Sequence, residues 1–230
     1  MRENLVLGEG VVIGADVEIG ANVVIHEGTV VGDGCVIQDN VVLGKQPRLS
    51  ARSTAKRDPL APLELGAGAA VCSGSLVYAG TVVGPNAIIG DQASVRERCT
   101  LGEGVVVGRG VCVENDVSIG AFSKIQSNSY ITAYSTLEEH VFIAPCVTTT
   151  NDNFMGRTDA RHEQILGAII RRGARIGGGV VILPGIEIGE EAFVAAGALV
   201  TRDIPAKKLV AGLPAKVWRD VPPEEFVPSA

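Results

Sequence analysis

A six-residue hydrophobic beat runs along almost the whole chain. From Leu7 onward, every sixth residue is aliphatic: Leu7, Ile13, Ile19, Ile25, Val31, Ile37 and Leu43. The same phase restarts at Leu65 and continues through Val71, Val77, Val83, Ile89, Val95, Leu101, Val107, Val113, Ile119, Ile125, Ile131, Leu137 and Ile143. A third block reads Ile170, Ile176, Ile182, Ile188, Val194 and Val200. The position four residues after each aliphatic is mostly small, as in Thr29, Cys35, Ser75, Cys99, Ser123 and Ser129, with Ile186 and Ile204 the bulky members of the last block. Between these positions lie Gly8-Glu9-Gly10, Gly32-Asp33-Gly34 and Gly84-Pro85-Asn86, residues that turn the chain at low steric cost.

A helix repeats its apolar face every 3.6 residues and a half-buried strand every 2. A period of six fits a short strand plus a turn, three of which close a triangular coil of 18 residues. The large aliphatic then fills the centre of the prism and the small residue its corner. Hexapeptide repeats of this kind predict an all-β parallel β-helix of about nine coils, roughly 43 Å long at the usual strand spacing of ~4.8 Å. Only 4% of the residues are aromatic, which agrees with so narrow a core.

The pattern resembles the left-handed β-helix hexapeptide-transferase superfamily over about residues 5–218. That resemblance implies left-handed coils, an exception to the right-handed crossover rule. Residues 1–218 therefore read as one β-helix domain and 219–230 as a C-terminal tail or short cap.

The net charge of −6 and a pI near 5.2 argue against a nucleic-acid surface. No apolar run approaches a membrane span, and Met1-Arg2-Glu3-Asn4 leads directly into the repeat, so a soluble, cytoplasmic protein without membrane association is expected. Among the five cysteines, Cys35 and Cys99 occupy small interior slots; Cys72, Cys112 and Cys146 fall elsewhere without CxxC spacing. Reduced, structural thiols are expected.

The beat breaks twice. The first break, Lys45–Glu64, holds five basic residues and three prolines. It reads either as a tolerated surface insertion or as a loop contacting an anionic ligand such as a nucleotide diphosphate, through Arg48, Arg52, Lys56 and Arg57. The second break, Thr149–Ile169, carries Asn151, Asp152, Asn153, Arg157, Asp159, Arg161 and His162. Many hydrogen-bonding side chains on a rigid scaffold mark it as the better candidate site.

Lys124-Ile125-Gln126-Ser127-Asn128, then Leu137-Glu138, Val141-Phe142, Pro145 and Thr150-Asn151-Asp152, resemble the nucleotide-sugar N-acetyltransferases of this superfamily. Arg157 sits one residue beyond the position that pattern gives it. The resemblance implies acetyl-CoA as co-substrate, no metal, and the amino group of a UDP- or dTDP-linked sugar as acceptor, with Gln126 and Arg157 binding substrate. Direct attack by the amine leaves Asn128 and Asn151 to hold the sugar or the thioester oxygen, and Asp152 to orient the amine or take its proton. His162 is a further catalytic candidate; His140 reads as a solvated turn residue, and His26, in the N-terminal coils, is remote in sequence from both signals.

At the C-terminal end, Ile182-Leu183-Pro184-Gly185, Val194-Ala195-Ala196-Gly197-Ala198 and Ala211-Gly212-Leu213-Pro214-Ala215-Lys216-Val217 are similar to the acyl-CoA-binding end of such transferases. Ala195, Ala196 and Gly197 would leave backbone groups open to pantetheine, and Lys207 and Lys216 would meet a phosphate. The plainer reading of those cations is a polar cap on a solenoid. The superfamily also implies a homotrimer with CoA between neighbouring prisms. An O-acetyltransferase, or an acyltransferase acting on an amino acid, is the alternative. A γ-type carbonic anhydrase would need three His zinc ligands, two of them closely spaced, and no two His here lie within 20 residues. A non-enzymatic β-helix would present a flat, repetitive outer face, which these outward positions do not.

Overall fold

In a computed structural model, which describes residues 4–51 and 57–228, the chain coils into a three-faced parallel β-solenoid. Through the strand Leu199–Val200, successive strands fall on successive faces, so a strand pairs in parallel with the one three places further along the chain. Face 1 begins with Val6–Leu7, face 2 with Val12–Ile13 and face 3 with Glu18–Ile19; they hold ten, nine and eleven strands. The architecture is the parallel β-helix expected from the beat, consistent with the left-handed coils that the resemblance implied. Among the described residues, no helix is long and apolar enough to cross a membrane.

The aliphatics of the beat stack in register, as in Val77 on Val95 and Ile89 on Val107, and from Ile25 onward they are almost fully buried. Each such side chain contributes on the order of 1.5–3 kcal/mol by leaving water. The small interior slot has a second use. Ser75, Thr81, Ser123 and Ser129 donate their hydroxyls to Gly90, Arg96, Glu138 and Ala144 carbonyls at 2.7–3.0 Å, and Cys35 and Cys99 direct their thiols to Gly66 and Glu114 carbonyls. The buried polar atom thus satisfies a carbonyl in the turn of the following coil.

The prism edges explain the turn vocabulary. The edge between faces 3 and 1 is lined by Asn4, Asn22, Asn40, Gln92, Asn128 and Cys146, all with φ of 53–61°. Asn4 Nδ2 donates to Asn22 Oδ1 at 2.9 Å, and Asn22 to Asn40 at 3.3 Å, an amide ladder along the edge. Gly84 is required for a different reason: a Cβ there would lie 2.6 Å from the Gly102 carbonyl carbon in the next coil.

Three expectations shift. The second insertion begins one residue later than the break implied, because Thr149 is buried in the strand Thr148–Thr149 and stacks on Ile182. A threonine at the aliphatic slot concealed that strand from the hydrophobic pattern. Ile204, by sequence a corner residue, instead bridges Ile188 in parallel, and Val210 stacks on Val194. The beat therefore continues past Val200 with its phase slipped by two residues. Finally, the strand Lys216–Asp220 pairs antiparallel with Lys208–Ala211 across the boundary expected at 218. Beyond it, Val221 is buried, Val227 N–H donates to Glu191 Oε1, and Glu225 pairs with Arg175 at 2.7 Å, so the tail straps the last coils.

Candidate functional site

Both insertions leave from the same edge of the prism. The first joins Val42–Lys45 on face 1 to Glu64–Leu65 on face 2, and the second joins Thr148–Thr149 on face 1 to Ile169–Ile170 on face 2. Between them the edge carries the turns that follow strands Leu76–Tyr78, Ser94–Val95, Cys112–Val113 and Tyr130–Ile131. The two loops therefore bracket one polar ridge.

That ridge holds an ion-pair network. Arg96 donates Nε and Nη2 to Glu97 at 2.8 and 2.9 Å and Nη1 to Glu114 at 3.1 Å. Arg98 grips Asp116 through Nε and Nη2, both at 2.8 Å, and stands 3.8 Å from Glu97. The Glu97 side chain is 1% exposed, a buried carboxylate with a guanidinium on either side. The sequence did contain the signal. Arg96-Glu97-Arg98 and Glu114-Asn115-Asp116 lie 18 residues apart, so the coil period sets each arginine over an acid.

Beside the second loop the ridge opens into a cavity of about 530 Å³, within the usual range for small-ligand sites. Glu114, Tyr130, Asn151, Arg161, His162 and Ile165 are among its lining residues. Asn151 Nδ2 donates to the Ala133 carbonyl at 3.4 Å, which aims its amide across the cavity floor. His162 lies exposed on the 3₁₀ turn Asp159–Glu163, and Arg157 is exposed, its backbone N–H donating to the Phe154 carbonyl.

Asp152, expected to orient the amine or take its proton, has its carboxylate engaged within the second loop. Its oxygens accept from Phe154 N–H at 2.8 Å, Gly156 N–H at 2.9 Å and Arg161 Nε at 2.8 Å. The Gly156 amide first, with Phe154 and Arg161, holds this carboxyl below its ordinary range. A carboxylate so engaged organises the loop and is a poor base.

The remaining candidates divide by edge. Gln126 and Asn128 lie between faces 3 and 1, where backbone hydrogen bonds link Cys146 to Ser127, Gly179 to Pro145 and Gly197 to Gly178. Asn128, Cys146, Gly179 and Gly197 thus form one column, and Ala195–Gly197 share an edge with Asn128, three coils along. Lys216 pairs with Ala211, which follows the strand residue over Val194, and so stands at the same end. Lys207 does not. It lies in the turn between Ile204 on face 2 and the strand Lys208–Ala211 on face 3, with Nζ 5.3 Å from the Phe226 ring centroid. Leu213 and Trp218, about three-quarters exposed on the C-terminal hairpin, are apolar surface near Lys216 that the motif reading did not use.

Within one chain, then, Asn128 and Asn151 flank opposite edges of face 1: Tyr130–Ile131 follows the first, and the adjacent strand Thr148–Thr149 precedes the second. Of the first loop's basic candidates, Arg57 donates to the Ser50 carbonyl at 2.8 Å and Arg48 is exposed; Arg52 and Lys56 lie outside the described residues. His140 stacks on Phe122 at 5.3 Å on a further edge, away from the cavity. Among the described residues, no three His, Cys, Asp or Glu form a group able to hold a metal.

Comparison with known proteins agrees with the repeat. The family described as bacterial transferase hexapeptide (six repeats) matches residues 4–45, 80–115 and 167–202. A 2,3,4,5-tetrahydropyridine-2,6-dicarboxylate N-acetyltransferase of Staphylococcus aureus is 55% identical over 49 residues, 21% of this chain and 20% of that protein. The chain thus matches about a fifth of the length of such curated relatives. Among solved structures, a hexapeptide-repeat acetyltransferase of Vibrio cholerae is 29% identical, with a TM-score of 0.41 over 50% of this chain and 73% of that one. The acetyltransferase domain of PglB from Neisseria gonorrhoeae, in complex with acetyl coenzyme A, is 21% identical, with a TM-score of 0.44 over 66% and 58%.

Proposed function

We propose, on the match to the bacterial transferase hexapeptide (six repeats) family, that the chain is an acetyl-CoA-dependent acetyltransferase that acts on the amine of a nucleotide-linked amino sugar. The observation that carries the site is the cavity on the face 1/face 2 edge, where Asn151, Tyr130, Glu114 and His162 converge under the second loop. Acetyl-CoA lies along the other edge of face 1, over the small residues Ala195, Ala196 and Gly197, with its phosphates toward Lys216.

The reaction forms one bond and breaks one. The amine nitrogen attacks the thioester carbonyl carbon, the C–N bond forms, the C–S bond breaks, and the departing sulfur takes the proton that the nitrogen loses. The protein's part is alignment and charge stabilisation, since a neutral amine is already a capable nucleophile. Asn128 and Asn151 supply amide donors for the developing oxyanion and the sugar, while Gln126 and Arg157 bind substrate.

The two groups of candidates flank face 1, so one site that uses both draws them from neighbouring copies. A homotrimer places the CoA edge of one prism against the loop cavity of the next. Use of acetyl-CoA fits a cytoplasmic reaction.

A second acceptor class, an amino-dicarboxylic acid, is favoured by the 55% identity over 49 residues to the tetrahydropyridine-dicarboxylate enzyme. The deciding assay follows thiol release from acetyl-CoA with UDP- and dTDP-amino sugars, tetrahydropyridine-2,6-dicarboxylate and hydroxyl-only sugars. Turnover confined to amino sugars supports the reading; turnover confined to the dicarboxylate or the hydroxyl acceptors overturns it.

A further inference from the structure

The cavity contains a carboxylate to which the sequence assigned no role. We infer that Glu114 recognises the acceptor amine in its ammonium form, with Tyr130 and Asn151 as neutral hydrogen-bonding partners around it. This rests on the reading of the cavity as an amine-acceptor site.

Three observations support it. The first is position: Glu114 leaves the strand Cys112–Val113 at the edge between faces 1 and 2 and lines the cavity together with Tyr130, Asn151 and His162. The second is charge. In the ridge, Arg96 and Arg98 face Glu97, Glu114 and Asp116, two guanidiniums against three carboxylates. Arg96 spends two of its donors on Glu97 and gives one nitrogen, at 3.1 Å, to Glu114. Glu114 is the member of these five groups that lines the cavity. Across the cavity, Arg161 is already paired with Asp152 at 2.8 Å, so its charge does not cancel that of Glu114.

The third is the phenol. Burial first, and the Glu114 charge next, push the Tyr130 hydroxyl above its ordinary range. It stays protonated and neutral, leaving the carboxylate to meet a cation. The arrangement also separates substrate from product. For reaction the bound ammonium first loses one proton to solvent, and the neutral amine then passes a second to the departing sulfur, so the product keeps one N–H, carries no charge, and loses the charge-assisted contact to Glu114.

The test measures binding without acetyl-CoA. Glucosamine and N-acetylglucosamine are titrated into the full chain and into Glu114→Gln and Glu114→Asp variants, read by calorimetry at neutral pH. The expected result is at least tenfold tighter binding of glucosamine to the wild type, loss of that preference in Glu114→Gln, and its partial retention in Glu114→Asp. No preference in the wild type overturns the inference, as does a preference that survives Glu114→Gln. Should Glu114→Gln loosen the ridge through Arg96, the charge-conserving Glu114→Asp decides: complete loss of preference there overturns the inference. The outcomes separate from those of the acetylation assay. An amine preference in a chain that acetylates nothing removes the enzyme reading alone. Amine turnover with an unchanged KM in Glu114→Gln removes this inference alone.

Discussion

The Asp152 carboxylate holds the Arg161 guanidinium at 2.8 Å while also accepting two amide hydrogens of its own loop. This clamp fixes the segment that carries His162 and lines the cavity. Asp152→Asn should leave global thermal stability nearly unchanged, speed trypsin cleavage at Arg157 and Arg161 severalfold, and lower turnover by on the order of tenfold. Wild-type cleavage rates in the variant would show that the clamp does not order the loop.

The same clamp has a pH signature. Its folded pKa lies below the unfolded carboxylate value of about 3.9. Its contribution is therefore present above that value and is lost as pH falls through the lower folded one. Limited proteolysis across pH 5 to 2 with an acid-active protease should show the loop opening only at the acidic end. Opening already at pH 5 contradicts the assignment.

Ser129 tests the second role of the small interior slot. Its hydroxyl donates to Ala144 O at 3.0 Å and accepts from Val147 N–H at 3.2 Å, with the residue 1% exposed. Ser129→Ala leaves both backbone groups without this partner and should cost about 1–3 kcal/mol in urea unfolding. Ser129→Cys should cost less, because Cys99 makes the equivalent contact to Glu114 O at 3.0 Å. Equal losses in the two variants would assign the slot to volume alone.

Burial pushes the Cys99 thiol up to about 12. Cys112 and Cys146 are exposed free thiols. Iodoacetamide at pH 8 should label Cys112 and Cys146 in the folded protein and spare Cys99, read by peptide mass spectrometry. Rapid labelling of Cys99 would mean that the corner slot opens in the native state.

Placement of Asn128 and Asn151 on opposite edges of face 1 gives the shared-site reading a complementation test. Asn128→Ala and Asn151→Ala should each be nearly inactive alone. Co-refolded in equal amounts, they should recover about a quarter of wild-type turnover, the fraction of trimer interfaces that pair two intact residues. No recovery in mixed trimers would place the two asparagines in separate roles, and a monomeric mass by light scattering would remove the shared site altogether.

The sequence by itself determined the coil. A period of six with Leu, Ile or Val at one slot and small residues four places on has one economical burial, and that burial sets the faces, the register and the turn residues. It failed where side-chain type and slot disagree. Thr149 fills an aliphatic position with a β-branched polar residue, and Ile204 belongs to a shortened turn, which counting along a fixed period cannot detect. Only the tertiary structure decided which edge each candidate occupies. Two insertions more than 80 residues apart share an edge because loop position is read modulo 18, while Lys207 and Lys216, nine residues apart, stand at opposite ends of the strand Lys208–Ala211, the second through the antiparallel pairing of a hairpin that the beat does not encode. The charge of Glu114 belongs to the same class of fact: its place in the cavity and its claim on Arg96 arise from coil-to-coil contacts that local sequence does not contain.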